Sequence, residues 1–301
     1  MASDDYRRLL DATIRHLESL QSQGVGFVPV KAETLSALSR PARAAAPQAA
    51  VRAAPAPSAA IRTSAAPARP SPAVAVPVVT RGPAVRRPKL EPAARKAAFE
   101  ELRLRVLACT RCPNLVASRT QVVFGVGDPE SPLIFIGEAP GADEDLRGEP
   151  FVGMAGQLLT KIIVAMGLSR ETVYIANILK CRPDTPGQTA GNRKPTPQEM
   201  ATCIPYLEEQ IDLIQPRAMV ALGATAIEGL FGKTDAGVTR LRGSWLDFRG
   251  IPVMVTYHPA YLLRNQALSV KRLVWEDMMA VMDRLGMAIT EKQRGFFLKA
   301  P

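Results

Sequence analysis

Cys109 and Cys112 stand two residues apart, close enough for both thiolates to face one point. Cys181 and Cys203 lie far off in sequence, each beside a loop rich in Pro and Gly. Four soft sulfur ligands at loop or element ends suit a Cys₄ site for zinc or for an iron–sulfur cluster. A redox pair with two core cysteines is the alternative, because free cysteine is often buried. Spacing favours the metal site without choosing the metal. A second constellation comprises Glu138, Asn177 and His258, each at the end of an apolar run: Pro132–Ile136, Val173–Leu179 and Val253–Tyr257. Singly, a satisfied structural amide or histidine is the simpler account. Together, at the carboxyl ends of three parallel strands, they would converge on the crevice where open α/β sheets bind ligands.

The stretch Gly137–Gly156, GEAPGADEDLRGEPFVGMAG, organises this crevice. Gly137, Pro140 and Gly141 supply the bends of a ligand loop. Four carboxylates follow, Asp143, Glu144, Asp145 and Glu149, with one aromatic residue, Phe151, and a Gly153-x-x-Gly156 entry into a helical pattern. A solvated acidic loop is the bland alternative.

These residues need a scaffold, and the remaining pattern supplies one. Apolar periodicity predicts a helix over Ala98–Cys109, then strands at Leu133–Ile136, Val173–Leu179, Ala218–Leu222 and Val253–Tyr257. Helices alternate with them at Gly156–Met166, Pro197–Ile214, Ala224–Phe231 and Ser269–Leu285. Strands separated by helices of this length argue for βαβ units, hence a parallel sheet with helices on both faces.

The folded domain is expected over 94–287, with an uninformative tail at 288–301. Ahead of it, 1–39 holds an amphipathic helix from Asp4 to Gln23, whose Leu9, Leu10, Ile14, Leu17 and Leu20 share one stripe. Such a helix cannot bury its face alone and needs the main domain, a copy or a partner. His16 sits there among charged neighbours and has no chemical role. Residues 40–93 are Ala/Pro/Arg-rich, and composition predicts a disordered tether. Eleven of the 38 basic residues fall between Arg40 and Lys96 against one acid, Glu91, so the net charge of +10 resides in the tether and the first residues after it. The folded part is close to neutral. No run reaches the length of a membrane span and the N-terminus is unlike a secretory signal, so a cytoplasmic protein with reduced cysteines is expected.

Gly137-Glu-Ala-Pro-Gly141 with Glu144-Asp145, Pro150-Phe151-Val-Gly153, His258-Pro-Ala-Tyr-Leu-Leu-Arg264 and the four cysteines together resemble the family 4 uracil-DNA glycosylases. The resemblance covers roughly Glu100 to Leu285. It implies a three-layer α/β/α fold around a four-stranded parallel sheet, and a [4Fe–4S] cluster on Cys109, Cys112, Cys181 and Cys203. Twenty-one residues separate Cys181 from Cys203, more than is usual, and the surplus around Asp184–Ala190 reads as an insertion.

The same resemblance implies roles in removing uracil from DNA. Phe151 would stack on the flipped base, Asn177 would read its edge, and His258 would stabilise charge on O2. Gly137 and Glu138 would contact the base, with Glu138 positioning water or balancing the sugar cation. Other branches place a water-activating Asp where this chain has Ala139. Glu144 would crowd a thymine methyl, and Leu262, Leu263 and Arg264 would wedge into the vacated stack. Arg182, Arg193 and Lys194 are expected to grip phosphates. The implied partner is uracil-containing DNA, single- or double-stranded, bound by a monomer, with a protein partner open for the N-terminal helix. Two rivals stand beside this expectation. A covalent uracil-DNA crosslinking relative would carry a histidine in the loop between Cys181 and Cys203, and this chain has none there. A non-catalytic, polymerase-associated adaptor would not need an intact Glu138, Phe151, Asn177 and His258 set.

Overall fold

The computed structural model describes residues 80–81, 90–184, 193–234 and 236–298. All lie in the second of two compact units, Ser71–Pro301. The expected N-terminal helix, most of the tether and nearly all of the surplus loop fall outside the described residues.

Four parallel strands form the centre of the sheet in the order β7-β5-β3-β4: β3 (Leu133–Gly137), β4 (Tyr174–Asn177), β5 (Ala218–Leu222) and β7 (Ile251–Thr256). This is the expected parallel core. Three short edge strands, absent from the sequence reading, extend it to seven. They are β1 (Thr80–Arg81), parallel to β6; β2 (Val126–Gly127), antiparallel to β4; and β6 (Trp245–Phe248), antiparallel to β7. Thr80–Arg81 belongs to the segment read as tether, and two residues are too few for any periodic signal. The sequence marks only the carboxyl end of β7, at Val253–Tyr257, because that part is continuously buried, whereas β6 alternates between half-buried and buried.

Side chains of the central strands alternate between two cores, as a sheet covered on both faces requires. Ile134, Ile136, Met219, Ala221, Val253 and Val255 pack on one side. There they meet α1 (Pro92–Leu107), α5 (Pro197–Ile214) and α6 (Ala224–Phe231). Leu133, Phe135, Ile175, Val220 and Met254 face the other layer. That layer is built from α4 (Met154–Ala165) and α9 (Leu268–Arg284). The result is the three-layer α/β/α arrangement. Helix α1 begins at Pro92, six residues before the expected Ala98. Proline at the first helical position is pre-organised for that role, although its Ala-rich surroundings look like linker.

Short helices occupy the connections: α2 (Pro113–Ser118), α3 (Ala142–Arg147), α7 (Val238–Leu241), α8 (Pro259–Arg264) and α10 (Glu291–Arg294). Among the described residues no helix is long and apolar enough to cross a membrane.

Candidate active site and thiol cluster

Parallel register sets Asn177, the last residue of β4, directly opposite Gly137, the last of β3. Beyond the ladder, the Ile178 and Leu179 amides donate to the Gly137 and Glu138 carbonyls at 3.0 and 3.1 Å, so the two strand ends stay together into the loop. Asn177 is only 2 % exposed. Among the described residues its Oδ1 is the one buried side-chain polar atom without a hydrogen-bond partner. A buried carbonyl oxygen left unpaired is costly, and it marks the place where a ligand N–H belongs. Gly137 provides the space beside it. A Cβ at position 137 would lie 2.4 Å from Asn177 Oδ1 and 2.4 Å from Phe151 Cζ.

Phe151 forms the next wall. It is buried, and its ring centroid lies 5.6 Å from that of His258 with the planes 31° apart. The loop that carries it is braced from within by Glu144. One Glu144 oxygen accepts from the Val152 and Gly153 amides at 2.8 and 2.9 Å, and the other from the Gly141 amide at 3.0 Å. Glu144 thus closes the acidic loop on itself, a role that its expected position against a thymine methyl did not foresee. Asp145 binds the Thr120 amide at 2.9 Å and ties this loop to the segment after α2. Glu138 is half-buried at the carboxyl end of β3.

His258 caps α8. Its Nδ1 accepts from the Ala260 amide at 3.1 Å. A neutral imidazole has one acceptor and one donor nitrogen, so this bond leaves the proton on Nε2. Burial, reinforced by the nearby Arg264 charge, lowers the His258 pKa to about 4, against a smaller opposing effect of Glu144. Near pH 7 the site therefore holds a neutral histidine with a fixed tautomer and an N–H free for a ligand. Asn177 and Phe151 meet over Gly137, and the Phe151 ring in turn lies beside His258.

The expected wedge divides. Leu262 is buried, 5 % exposed, on a helix that packs against α4, so it anchors α8 and cannot enter a base stack. Leu263 is half-buried and Arg264 exposed. The expected phosphate cations are also partly engaged. Arg193 donates to both oxygens of the buried Glu199 at 2.8 and 2.5 Å, and Lys194 to Glu228 at 2.5 Å. Folding has used these two charges to fasten the loop that leads to Cys203.

Cys109, Cys112, Cys181 and Cys203 line one small cavity, together with Val106, Leu115 and Tyr206. Among the described residues no three metal-binding side chains meet at a single ion-sized point. By donor chemistry, four soft sulfurs around one cavity suit either a zinc ion or an iron–sulfur cluster. Burial raises the thiol pKa values, Cys203 to about 12, with Cys112 and Cys181 raised in the same direction. Donors nevertheless point at sulfur. Arg119 Nη1 donates to Cys181 Sγ at 2.9 Å and the Lys180 amide to Cys203 Sγ at 3.3 Å. Cationic metal would hold these buried sulfurs as thiolates, and such N–H groups would then balance their charge.

Sequence reading missed the support behind β7. Thr256 Oγ1 donates to Asp277 Oδ2 at 2.6 Å, and Arg242 pairs with the same buried carboxylate. This ties α9 to the strand end that carries His258. Three residues from three elements, separated by up to 35 positions, leave no local signature.

Residues 124–279 match the family model described as the uracil DNA glycosylase superfamily. A type-4 uracil-DNA glycosylase of Thermotoga maritima is 44 % identical over 185 residues, covering 61 % of this chain and 93 % of that protein. One of Archaeoglobus fulgidus is 41 % identical over 170 residues, 54 % of this chain and 82 % of its own. A type-5 uracil-DNA glycosylase of Pyrobaculum aerophilum is 29 % identical, with 62 % of this chain and 91 % of that protein covered.

Proposed function

The chain belongs to the uracil-DNA glycosylase superfamily, and from that premise we propose that it flips uracil out of DNA and hydrolyses its N-glycosidic bond. The product is an abasic site. The observation that carries this reading is the orphaned Asn177 Oδ1, buried beside Gly137 and facing the Phe151–His258 wall. Uracil offers N3–H to that oxygen and O4 to the Asn177 amide N–H. Cytosine reverses both contacts and would leave buried groups unpaired, the kind of mismatch that discriminates strongly.

Flipping costs a few kcal/mol of unstacking, roughly. Leu263 and Arg264 fill the vacated space, while Leu262 anchors their helix. Phe151 stacks on the extruded base. When the C1′–N1 bond breaks, its electron pair passes to the uracil ring, and His258 Nε2–H donates to O2 as charge collects there. A preorganised donor in a dry site is worth most at that moment. The sugar is left with cationic character, and water adds to C1′ and gives up a proton. Glu138 positions that water or balances the cation. Glu144, held by three amides, cannot swing aside and so blocks a 5-methyl group.

Cys109, Cys112, Cys181 and Cys203 would hold a [4Fe–4S] cluster. Holding such a cluster would let these residues tie the α1–α2 turn to the Cys181 loop and to helix α5, with no turnover chemistry at iron. The protein works as a cytoplasmic monomer on uracil-containing DNA, single- or double-stranded, and residues 1–39 are the segment that would recruit a protein partner.

Incubation of the purified chain with a uracil-containing oligonucleotide, followed by alkali, tests the reading. Strand scission that needs uracil, Asn177 and His258 supports it. Intact strands, or scission unaffected by Asn177→Ala, would refute it.

A further inference from the structure

Phe151 adopts a left-handed backbone, φ 55°, a region that bulky side chains avoid. The other non-glycine residues with positive φ among those described, Gln215, Arg249 and Phe297, end a helix, turn a hairpin or lie near the C-terminus. Phe151 alone combines this backbone with a ring in the candidate pocket. Such conformations persist only where surroundings enforce them.

Arg170, in the turn after α4, supplies that enforcement. Its Nη2 donates to the Pro150 carbonyl at 2.7 Å and its Nη1 to the Phe151 carbonyl at 2.9 Å. Nη1 also lies 3.3 Å from Thr160 Oγ1. Both peptide units ahead of and behind Phe151 Cα are thereby gripped through their oxygens, while Glu144 holds the next two amides. Below the clamp a Cβ at Gly156 would lie 1.9 Å from the Phe151 carbonyl carbon and oxygen, so the peptide sits directly on the start of α4. Arg170 is half-buried, and burial opposes its charge. A guanidinium placed on neutral oxygens in such a position recovers its desolvation only through charge-assisted hydrogen bonds. A loop that merely had to close would not need this expense at its most strained residue. What the clamp fixes is the ring, whose Cζ abuts the space beside Gly137 and Asn177.

We propose that Arg170 is a positioning residue for base capture: by holding the Pro150 and Phe151 carbonyls it keeps the Phe151 ring flat against the base pocket. This role rests on the uracil-excision reading. A lysine cannot reproduce it, since one ammonium does not match a planar fork spanning two carbonyls.

The test is a double-mutant cycle on the full chain, comparing wild type, R170Q, R170K, F151A and R170Q/F151A. Steady-state excision from a uracil oligonucleotide, inhibition by free uracil and thermal midpoint are measured for each. R170Q is expected to raise KM and the uracil inhibition constant about ten-fold while kcat falls less than about three-fold. R170K should follow R170Q, and R170Q should add nothing in the F151A background, since coupled residues fail to add. Independent, multiplying losses in the double variant, or an R170K indistinguishable from wild type, would overturn the assignment alone. A wild type that neither releases nor binds uracil would overturn the excision reading and this assignment with it.

Discussion

Asn177 and Gly137 are register partners at the ends of adjacent parallel strands, and the absent side chain of one makes room for the ligand of the other. Gly137→Ala places a methyl group 2.4 Å from both Asn177 Oδ1 and Phe151 Cζ. The expected outcome is a loss of roughly a hundred-fold or more in kcat/KM, the scale of misplacing a catalytic contact by an ångström. The thermal midpoint should fall as well, because the buried Asn177 and the clamped Phe151 ring must shift to admit the methyl group. Excision kinetics beside a melting curve separate the two.

His258 should remain uncharged far below the usual histidine range. Its folded pKa of about 4 lies under the ordinary 6.5. The folded state therefore binds fewer protons than the unfolded one between these values. Stability from this group is complete above pH 6.5 and is lost as pH falls through 4. Imidazole nitrogen shifts followed by NMR should show an Nε2–H tautomer at pH 7 and no titration of His258 between pH 8 and 5. A midpoint near 6.5 would contradict the burial argument. His258→Asn should lower kcat by roughly a hundred- to a thousand-fold, the scale of one lost oxyanion donor.

Glu199 links the two halves of the thiol site. It takes both Arg193 nitrogens, the Asn114 amide and the Thr196 amide, and these bonds, Arg193 foremost, hold its pKa near 2. Its contribution is fully present above the ordinary carboxylate value of 4.5 and fades as pH falls toward 2. Glu199→Ala should lower the thermal midpoint by several degrees, as breaking a buried charge pair does. It should also speed bleaching of the cluster absorbance, read in the same cuvette.

Removal of the metal should loosen defined segments and leave the sheet intact. Oxidative bleaching of the preparation should raise amide exchange over 109–119 and 180–184, where Arg119 and the Lys180 amide meet sulfur, more than over β3 or β5. Uniform exchange before and after bleaching, or stoichiometric zinc with no visible absorbance, would exclude the structural [4Fe–4S] role.

The parallel core was legible because its strands are buried on both faces and read as uninterrupted apolar runs: Leu133–Ile136 and Ala218–Leu222 carry their own signal. That Glu138, Asn177 and His258 lie along one edge was legible through topology, since strand ends of one parallel sheet share an edge, whereas the role of Phe151, on the loop before α4, came from the family resemblance. What lay beyond reach was partnership. Nothing local separates Leu262, which turns into the core, from Leu263, half-buried next to it, because α8 is only six residues long and shows less than two turns of periodicity. Arg193 carried the expectation of a phosphate grip and Arg170 no expectation at all, yet the first is spent on Glu199 and the second on two carbonyls. Such pairings depend on which element returns to which, and side-chain type does not record that.

Uracil recognition turns on what meets Asn177 Oδ1. The most direct measurement is a crystal structure of the protein soaked with free uracil. The expected density is a ring stacked on Phe151, its N3–H within hydrogen-bond reach of Asn177 Oδ1 and its O2 toward His258 Nε2. A uracil bound elsewhere, with Asn177 Oδ1 still unpaired, would contradict it.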